Sequence, residues 1–228
     1  MRHMDAAPVK ETIPSEILLS TLNARYMHTA FGLRYLYANL GELQAKACIQ
    51  EFTIHERPID IAEKLLSKSP RIIGFGVYIW NVAEVTKTVE LIKQVSPDTI
   101  IVLGGPEVSF EEDSPAVSDI ADYIVIGAAE KSFRELCEQL LSGNWPVHKY
   151  IQSEELPLDE LELPYRYYSD EDIRNRLIYV EASRGCPFKC EFCLSSLDKT
   201  SKPFELDTFL DEMDELYQRG VRNFKFID

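Results

Sequence analysis

Between residues 16 and 143, five short, mostly apolar runs alternate with intervening stretches, and in four of these the apolar residues recur at three- and four-residue steps. No other feature restricts the fold as sharply. The runs are 16–22 (EILLSTL), 46–54 (KACIQEFTI), 71–78 (RIIGFGVY), 99–103 (TIIVL) and 123–126 (YIVI). Continuous apolar strands, rather than alternating ones, are what a parallel sheet needs when helices cover both its faces. The helical stripes include Ala30, Leu33, Tyr37 and Leu40, then Ile59, Ala62, Leu65 and Leu66. Gly41 and Pro70 end these two. Val82, Val85, Val89 and Ile92 follow Asn81 as N-cap, and Phe133, Leu136, Leu140 and Leu141 make the last stripe. Residues 16–143 are therefore expected to form a doubly wound, Rossmann-like α/β domain behind a polar tail at 1–15.

From 144 to 176 the alternation stops. Pro146, Pro157 and Pro164 punctuate a stretch rich in Glu, Asp and Tyr, with acidic clusters at 154–155 and 170–172, which reads as an inter-domain linker. A new strand is expected from Leu177, leading into a cysteine loop. Then comes a helix with Leu206, Phe209, Leu210, Met213, Leu216 and Tyr217 on one face, closed by Gly220, and a strand at 223–228. Its acidic residues, Asp207, Asp211, Glu212, Asp214 and Glu215, read as a solvated face. One strand-helix-strand unit leaves apolar faces and sheet edges open, so 177–228 are expected to be the front of a larger domain.

Lys and Arg number 24 against 38 Asp and Glu, a formal charge of −14, which argues against a broad grip on nucleic-acid phosphates. The longest apolar run, 72–80, is too short to span a bilayer, and the first 15 residues lack the hydrophobic segment of a signal peptide. A soluble cytoplasmic protein with neither nucleic-acid nor membrane partners is expected. Five cysteines, an odd number with three of them crowded together, suit a metal site in a reducing compartment better than a disulfide framework. Cys48 and Cys137 fall on strand and helix positions that read as core.

The crowded three are Cys186, Cys190 and Cys193, spaced Cys-x-x-x-Cys-x-x-Cys at the end of a strand. Gly185 permits a positive φ and Pro187 fixes the turn, while Arg184 and Lys189 bring positive charge that favours thiolates. A structural zinc normally takes four protein ligands, and no Cys or His follows Cys193, so zinc would need a ligand from elsewhere. An iron–sulfur cube on three thiolates would keep one iron open. This spacing, the aromatic Phe192 before the last cysteine and the preceding strand resemble the signature of the radical S-adenosylmethionine (SAM) superfamily. The resemblance implies a [4Fe-4S] cluster on Cys186, Cys190 and Cys193, with SAM on its fourth iron. It also implies reductive release of a 5′-deoxyadenosyl radical and an electron donor such as flavodoxin or ferredoxin. The implied fold is a (β/α) barrel, of which 177–228 would be the first β-α-β unit. Phe192 and Asp228 are the remaining candidates on the SAM side, Asp228 reading first as a plain strand-end residue.

In an open α/β sheet, ligands settle outside the carboxyl ends of the strands. Those ends carry Leu22 and Asn23 after the first strand and Tyr78, Trp80 and Asn81 after the third. Gly104, Gly105, Pro106, Glu107, Val108 and Ser109 follow the fourth, and Gly127 to Glu130 the fifth. The double glycine lets a backbone approach a flat ligand, and Pro106 stiffens the turn. With the cysteine loop downstream, the 104–109 stretch resembles the cobalamin-binding domain that precedes the barrel in one class of radical SAM proteins. That resemblance implies cobalamin, held by the residues just named at these strand ends. Two departures stand out: no Asp-x-His-x-x-Gly motif is present, and 127–130 reads Gly-Ala-Ala-Glu where the family has Gly-Glu-Gly-Glu. His28 reads as a cap or interface histidine, with cobalt or substrate ligation as the alternative. Trp80 has two readings, against a corrin face or packed under a loop.

The expected function is the front portion of a cobalamin-dependent radical SAM enzyme, using the radical with cobalamin for methyl transfer, rearrangement or cyclisation of an unidentified substrate. The chain as it stands is expected to be unable to complete turnover. A non-catalytic corrinoid carrier or sensor with a zinc-bound loop is the alternative. Methylthiotransferases carry three further cysteines, which Cys48 and Cys137 cannot supply.

Overall fold

The structure, a computed structural model, describes residues 15–110, 114–186, 188, 190–191 and 201–227. Its main body follows the expected alternation: β1 (Ile17–Asn23), α1 (Phe31–Ala38), β2 (Ala47–Thr53), α2 (Pro58–Leu66), β3 (Ile72–Gly76), α3 (Val82–Val95), β4 (Ile100–Gly104), α4 (Val117–Ile120), β5 (Tyr123–Ile126) and α5 (Glu130–Leu141). The strands are parallel in the order β2-β1-β3-β4-β5-β6, where β6 is Tyr150–Gln152. Successive residues point to opposite faces, so each strand feeds two cores. Leu18, Leu22, Ile73, Phe75, Ile101 and Leu103 meet α2, α3 and α4 on one side. Ile17, Leu19, Ile72, Ile100, Val102 and Val125 meet α1 and α5 on the other. Cys137 is buried among the second set, and Cys48 packs against the first, as expected of core cysteines.

Two expectations need correction. In α2 the buried stripe is Ile61, Ala62 and Leu65, whereas Ile59 is exposed. Pro58 opens that helix, and Ile59 lies about 200° around it from Ile61, on the outer side. The larger correction concerns 144–176, which is no mere linker: Tyr150–Gln152 extends the sheet as its sixth strand, with Val125 registered on Ile151. Further on, Tyr165 and Tyr168 are fully buried, and α6 (Asp170–Asn175) opens with a capping box between Ser169 and Asp172.

After α6 come β7 (Ile178–Val180), β8 (Ser183–Arg184), β9 (Lys202–Pro203), α7 (Leu206–Gln218) and β10 (Phe224–Phe226). β7 and β10 pair in parallel, and β8 with β9 antiparallel. A third core joins this part to the first: Phe31 and Tyr35 of α1 pack with Tyr165, Tyr168, Ile178, Val180, Phe209 and Leu216. Of the stripe expected on α7, Phe209 and Leu216 are buried, while Leu206, Leu210 and Tyr217 are exposed. Among the described residues no helix is long and apolar enough to cross a membrane.

Beside the third core lies a closed ring of four charges. Arg34 of α1 bonds Glu51 of β2 and Asp172 of α6, both at 2.8 Å, and Arg176 bonds the same two carboxylates at 2.7 and 2.8 Å. All four side chains are less than a tenth exposed. The ring is neutral, and its carboxylates accept further bonds: Glu51 from Asn23 and the Ala30 amide, Asp172 from Ser169. Such an arrangement is tolerable only while complete, because one missing partner strands a charge away from water. Burial by itself would raise the Glu51 carboxyl, but Arg34, with Arg176 and Asn23, holds it below its ordinary value. Asp172 is likewise lowered, its burial outweighed by Arg34 and Ser169.

Replacing Arg34 with Met should cost about 3–5 kcal/mol, read from urea unfolding. A loss under about 1 kcal/mol would contradict a load shared around the ring. Carboxyls lowered on folding stabilise above their unfolded values and lose that stabilisation as pH falls through their folded ones. Stability should therefore start to fall below about pH 4, and Glu51→Gln should blunt that acid dependence.

Candidate functional site

Strand order reverses between β1 and β3, whose following loops diverge to opposite sides of the sheet. Asn81 bridges this fork. It stands at the N-cap position of α3 but does not cap the helix. Fully buried instead, its amide nitrogen lies 3.1 Å from Thr21 Oγ1 and from the Leu22 and Gly76 carbonyls, and its oxygen accepts the Tyr78 amide at 2.8 Å. Asn81 thus shapes the strand ends and has no spare group for a ligand.

On the α1 and α5 side, the sheet loses its side chains as it reaches these ends. Gly74 and Gly76 are two apart in β3 and so share a face, and Gly76 stands opposite Gly104 of β4. The bare patch is the floor of a cleft of about 200 Å³. Leu33 and Leu36 of α1 form one wall, Phe133 of α5 the other, and residues 127–130 the rim. Thr21 closes the floor by donating to the Gly76 carbonyl at 2.7 Å. Gly74 and Gly76 escaped attention in the sequence, although their spacing of two in an apolar run is the signal that would have marked them.

The paired glycines do different jobs. A Cβ on Gly104 would meet only the Val125 carbonyl, at an ordinary 3.7 Å, so this glycine is not required by the packing and its bareness opens the cleft. Gly105 has φ +110°, and a Cβ there would lie 2.4 Å from the Val77 carbonyl oxygen. No side chain fits. The turn is stitched down at the same place by the Val77 amide, which donates to the Gly104 carbonyl at 2.8 Å. Gly127 is also left-handed, at φ +93°.

The other expected contacts divide clearly. Tyr78 lines the cleft and is stacked on Trp80, centroids 4.6 Å apart and planes 5° from parallel. Trp80 is half exposed, so its outer face is free to meet a ligand. Burial pushes the Tyr78 phenol up, keeping it neutral. Pro106 is exposed and Glu107 partly so on the turn, whereas Val108 is buried in the core under α3 and α4. Leu22 is buried in that same core, and Asn23 is engaged by Glu51 at 2.6 Å. These three are scaffold. His28 bonds the Tyr179 hydroxyl at 2.6 Å, and its backbone bridges to Leu177, an interface role.

Glu130, the first residue of α5, sits on the cleft rim and is paired with Arg184 at 2.6 Å. Arg184 also bonds Glu181 at 3.0 Å and lies 4.5 Å over the Tyr35 ring. Its charge is thus already engaged by two carboxylates, and it is not the free cation expected beside the thiols. Gly185 follows at φ +86°, then Cys186, partly buried, and Cys190, exposed. Cys193, Phe192, Lys189, Pro187 and Asp228 lie outside the described residues. Among the described residues, no group of three or more His, Cys, Asp or Glu side chains is placed to hold a metal ion.

Residues 18–137, more than half of the chain, match the family described as B12 binding domain. An uncharacterized methyltransferase of Pyrococcus horikoshii, PH0819, is 26% identical over 221 residues, covering 86% of this chain and 48% of that protein. The cobalamin-dependent radical SAM methyltransferase TokK of Streptomyces tokunonensis is 26% identical over 231 residues, covering 86% of this chain and 33% of its own. The chain thus spans about half the length of the first relative and a third of the second. A solved cobalamin-binding protein from Desulfitobacterium hafniense aligns with 55% of this chain and 58% of its own, at 20% identity and a TM-score of 0.41. The family match falls on the strands and helices that build the glycine-floored cleft, and the chain belongs to the B12-binding domain family.

Proposed function

We propose that this chain is the cobalamin-holding and cluster-bearing portion of a cobalamin-dependent radical SAM enzyme, and that the enzyme transfers a methyl group. The observation that carries the reading is the uncovered backbone at Gly104, under α1 and α5, which leaves an apolar cleft at the strand ends. A protein interior is normally filled to crystal-like density, so a strand end that has room for a side chain and carries none points to an occupant.

The residues present suit cobalamin, a flat macrocycle with a pendant nucleotide arm. About 200 Å³ is too little for the whole cofactor and enough for a slender part of it. Leu33, Leu36 and Phe133 would exclude water from that part, and the half-exposed face of Trp80, braced by Tyr78, would give the macrocycle a flat surface. The three thiols at 186, 190 and 193 suit a [4Fe-4S] cluster with one open iron better than a four-ligand zinc. When bound, the cluster with SAM would supply a carbon-centred radical and the corrinoid a transferable methyl group. The protein's own work is to hold both at one edge of the sheet and keep water out. The names of PH0819 and TokK support methyl transfer over rearrangement or cyclisation. A reduced flavodoxin or ferredoxin is proposed as electron donor, and 177–228 as the first unit of a (β/α) barrel, supported by the parallel pairing of β7 with β10 across α7.

Anaerobic titration with hydroxocobalamin should show saturable binding by the wild type. Gly104→Leu should weaken it at least about tenfold, equivalent to about 1.4 kcal/mol, with an unchanged circular dichroism spectrum. Equal binding by the two proteins would place the cofactor elsewhere. Anaerobic reconstitution should load about four irons with acid-labile sulfide, and Cys186→Ala should abolish that loading. One zinc without sulfide would favour a corrinoid carrier instead.

A further inference from the structure

The rim of the cleft and the strand leading to the cysteines are joined by one side chain. Glu130 stands at the start of α5, directly after residues 127–129, and all four line the cleft. Its carboxylate takes Nη2 of Arg184 at 2.6 Å, while Arg184 Nε holds Glu181 at 3.0 Å. The guanidinium is therefore fixed by two carboxylates on its two edges and by the Tyr35 ring, 4.5 Å beneath. A planar fork held this way has one orientation, which a flexible ammonium would not reproduce. Two residues later comes Cys186.

We propose that Arg184 is a positioning residue that couples occupancy of the cobalamin cleft to the presentation of Cys186 to the cluster. This rests on the functional reading above. A group packed on 127–130 fixes Glu130, Glu130 fixes Arg184, and Arg184 fixes the backbone that presents Cys186. Coupling of this kind is reciprocal: a cluster bound through Cys186 must tighten cobalamin by the same factor by which cobalamin favours the cluster. An arginine that served only to stabilise the fold would weaken both events together without changing that factor.

The test compares hydroxocobalamin affinity of the metal-free protein with that of the same protein anaerobically loaded with iron and sulfide. The wild type should bind at least about fivefold tighter when loaded. Arg184→Lys should bring the ratio to about one while keeping its iron and sulfide content and its metal-free affinity. The triple variant Glu130→Gln, Glu181→Gln and Arg184→Gln, which neutralises both carboxylates along with the guanidinium and so leaves no charge stranded, should also give a ratio near one, so the test survives misfolding of the lysine variant. Electron paramagnetic resonance of the reduced cluster gives a second readout: adding cobalamin should alter the wild-type signal and leave the Arg184→Lys signal unchanged. A ratio that persists in both variants would overturn the proposal. A wild-type ratio of one with both cofactors bound would overturn it and leave the functional reading standing. Failure of the wild type to take up cobalamin or iron–sulfide would defeat both.

Discussion

Burying both faces of a parallel sheet leaves only the strand ends where a ligand can reach the backbone, and everything distinctive about this molecule follows from how those ends are finished. On the α2 and α3 side the packing runs to the end, with Phe75, Val77 and Leu103 filling the space under the helices. On the α1 and α5 side it stops two residues short. Gly74 makes room for Phe133, and Gly76 for Tyr78 and Thr21, while at Gly104 the backbone stays uncovered and the helices stand over a gap. Leaving it open forfeits the dispersion contacts that side chains there would make, a local cost that is intelligible only if another molecule recovers them.

The second constraint is electrostatic. A chain carrying a formal charge of −14 has carboxylates to spare, and it uses buried ones to bind its C-terminal part to the sheet domain. Glu51 and Asp172 alternate with Arg34 and Arg176 across α1, β2 and α6, and Glu130 meets Arg184 at the cleft rim. Both connections run between residues far apart in sequence. Each is held by guanidinium groups whose planar geometry serves two carboxylates at once, which restricts how the strand before the cysteines can lie against the first domain.

Much of this was legible from residue order alone, and what was not has physical reasons. The alternation of apolar runs and helical stripes is local, so five strands and four of the helices between them could be placed from periodicity, and the Gly-Gly-Pro turn stood out at a strand end. β6 escaped because three residues carry no usable period, and its pairing with β5 is decided by the sheet edge it finds. Asp172 was read as part of an acidic linker cluster with Asp170 and Glu171; only folding brings Arg34 and Arg176 to it, although Ser169 three residues earlier was a readable capping signal. Asn81 was read as a helix cap, but the fork between β1 and β3 offers its amide better partners than the α3 amides do. Leu22 and Val108 were grouped with ligand contacts by proximity in sequence, while strand alternation and a helical turn carry their side chains into the core.

One edge of this sheet, we propose, brings a corrinoid and an iron–sulfur cluster into the same neighbourhood. Anomalous diffraction from anaerobically grown crystals of the reconstituted protein, recorded at the cobalt and iron edges, tests it most directly. Cobalt is expected above the turn at Gly104 and Gly105, and iron beside Cys186, on the same side of the molecule. Cobalt bound at another edge, or a zinc signal in place of iron at Cys186, would contradict it.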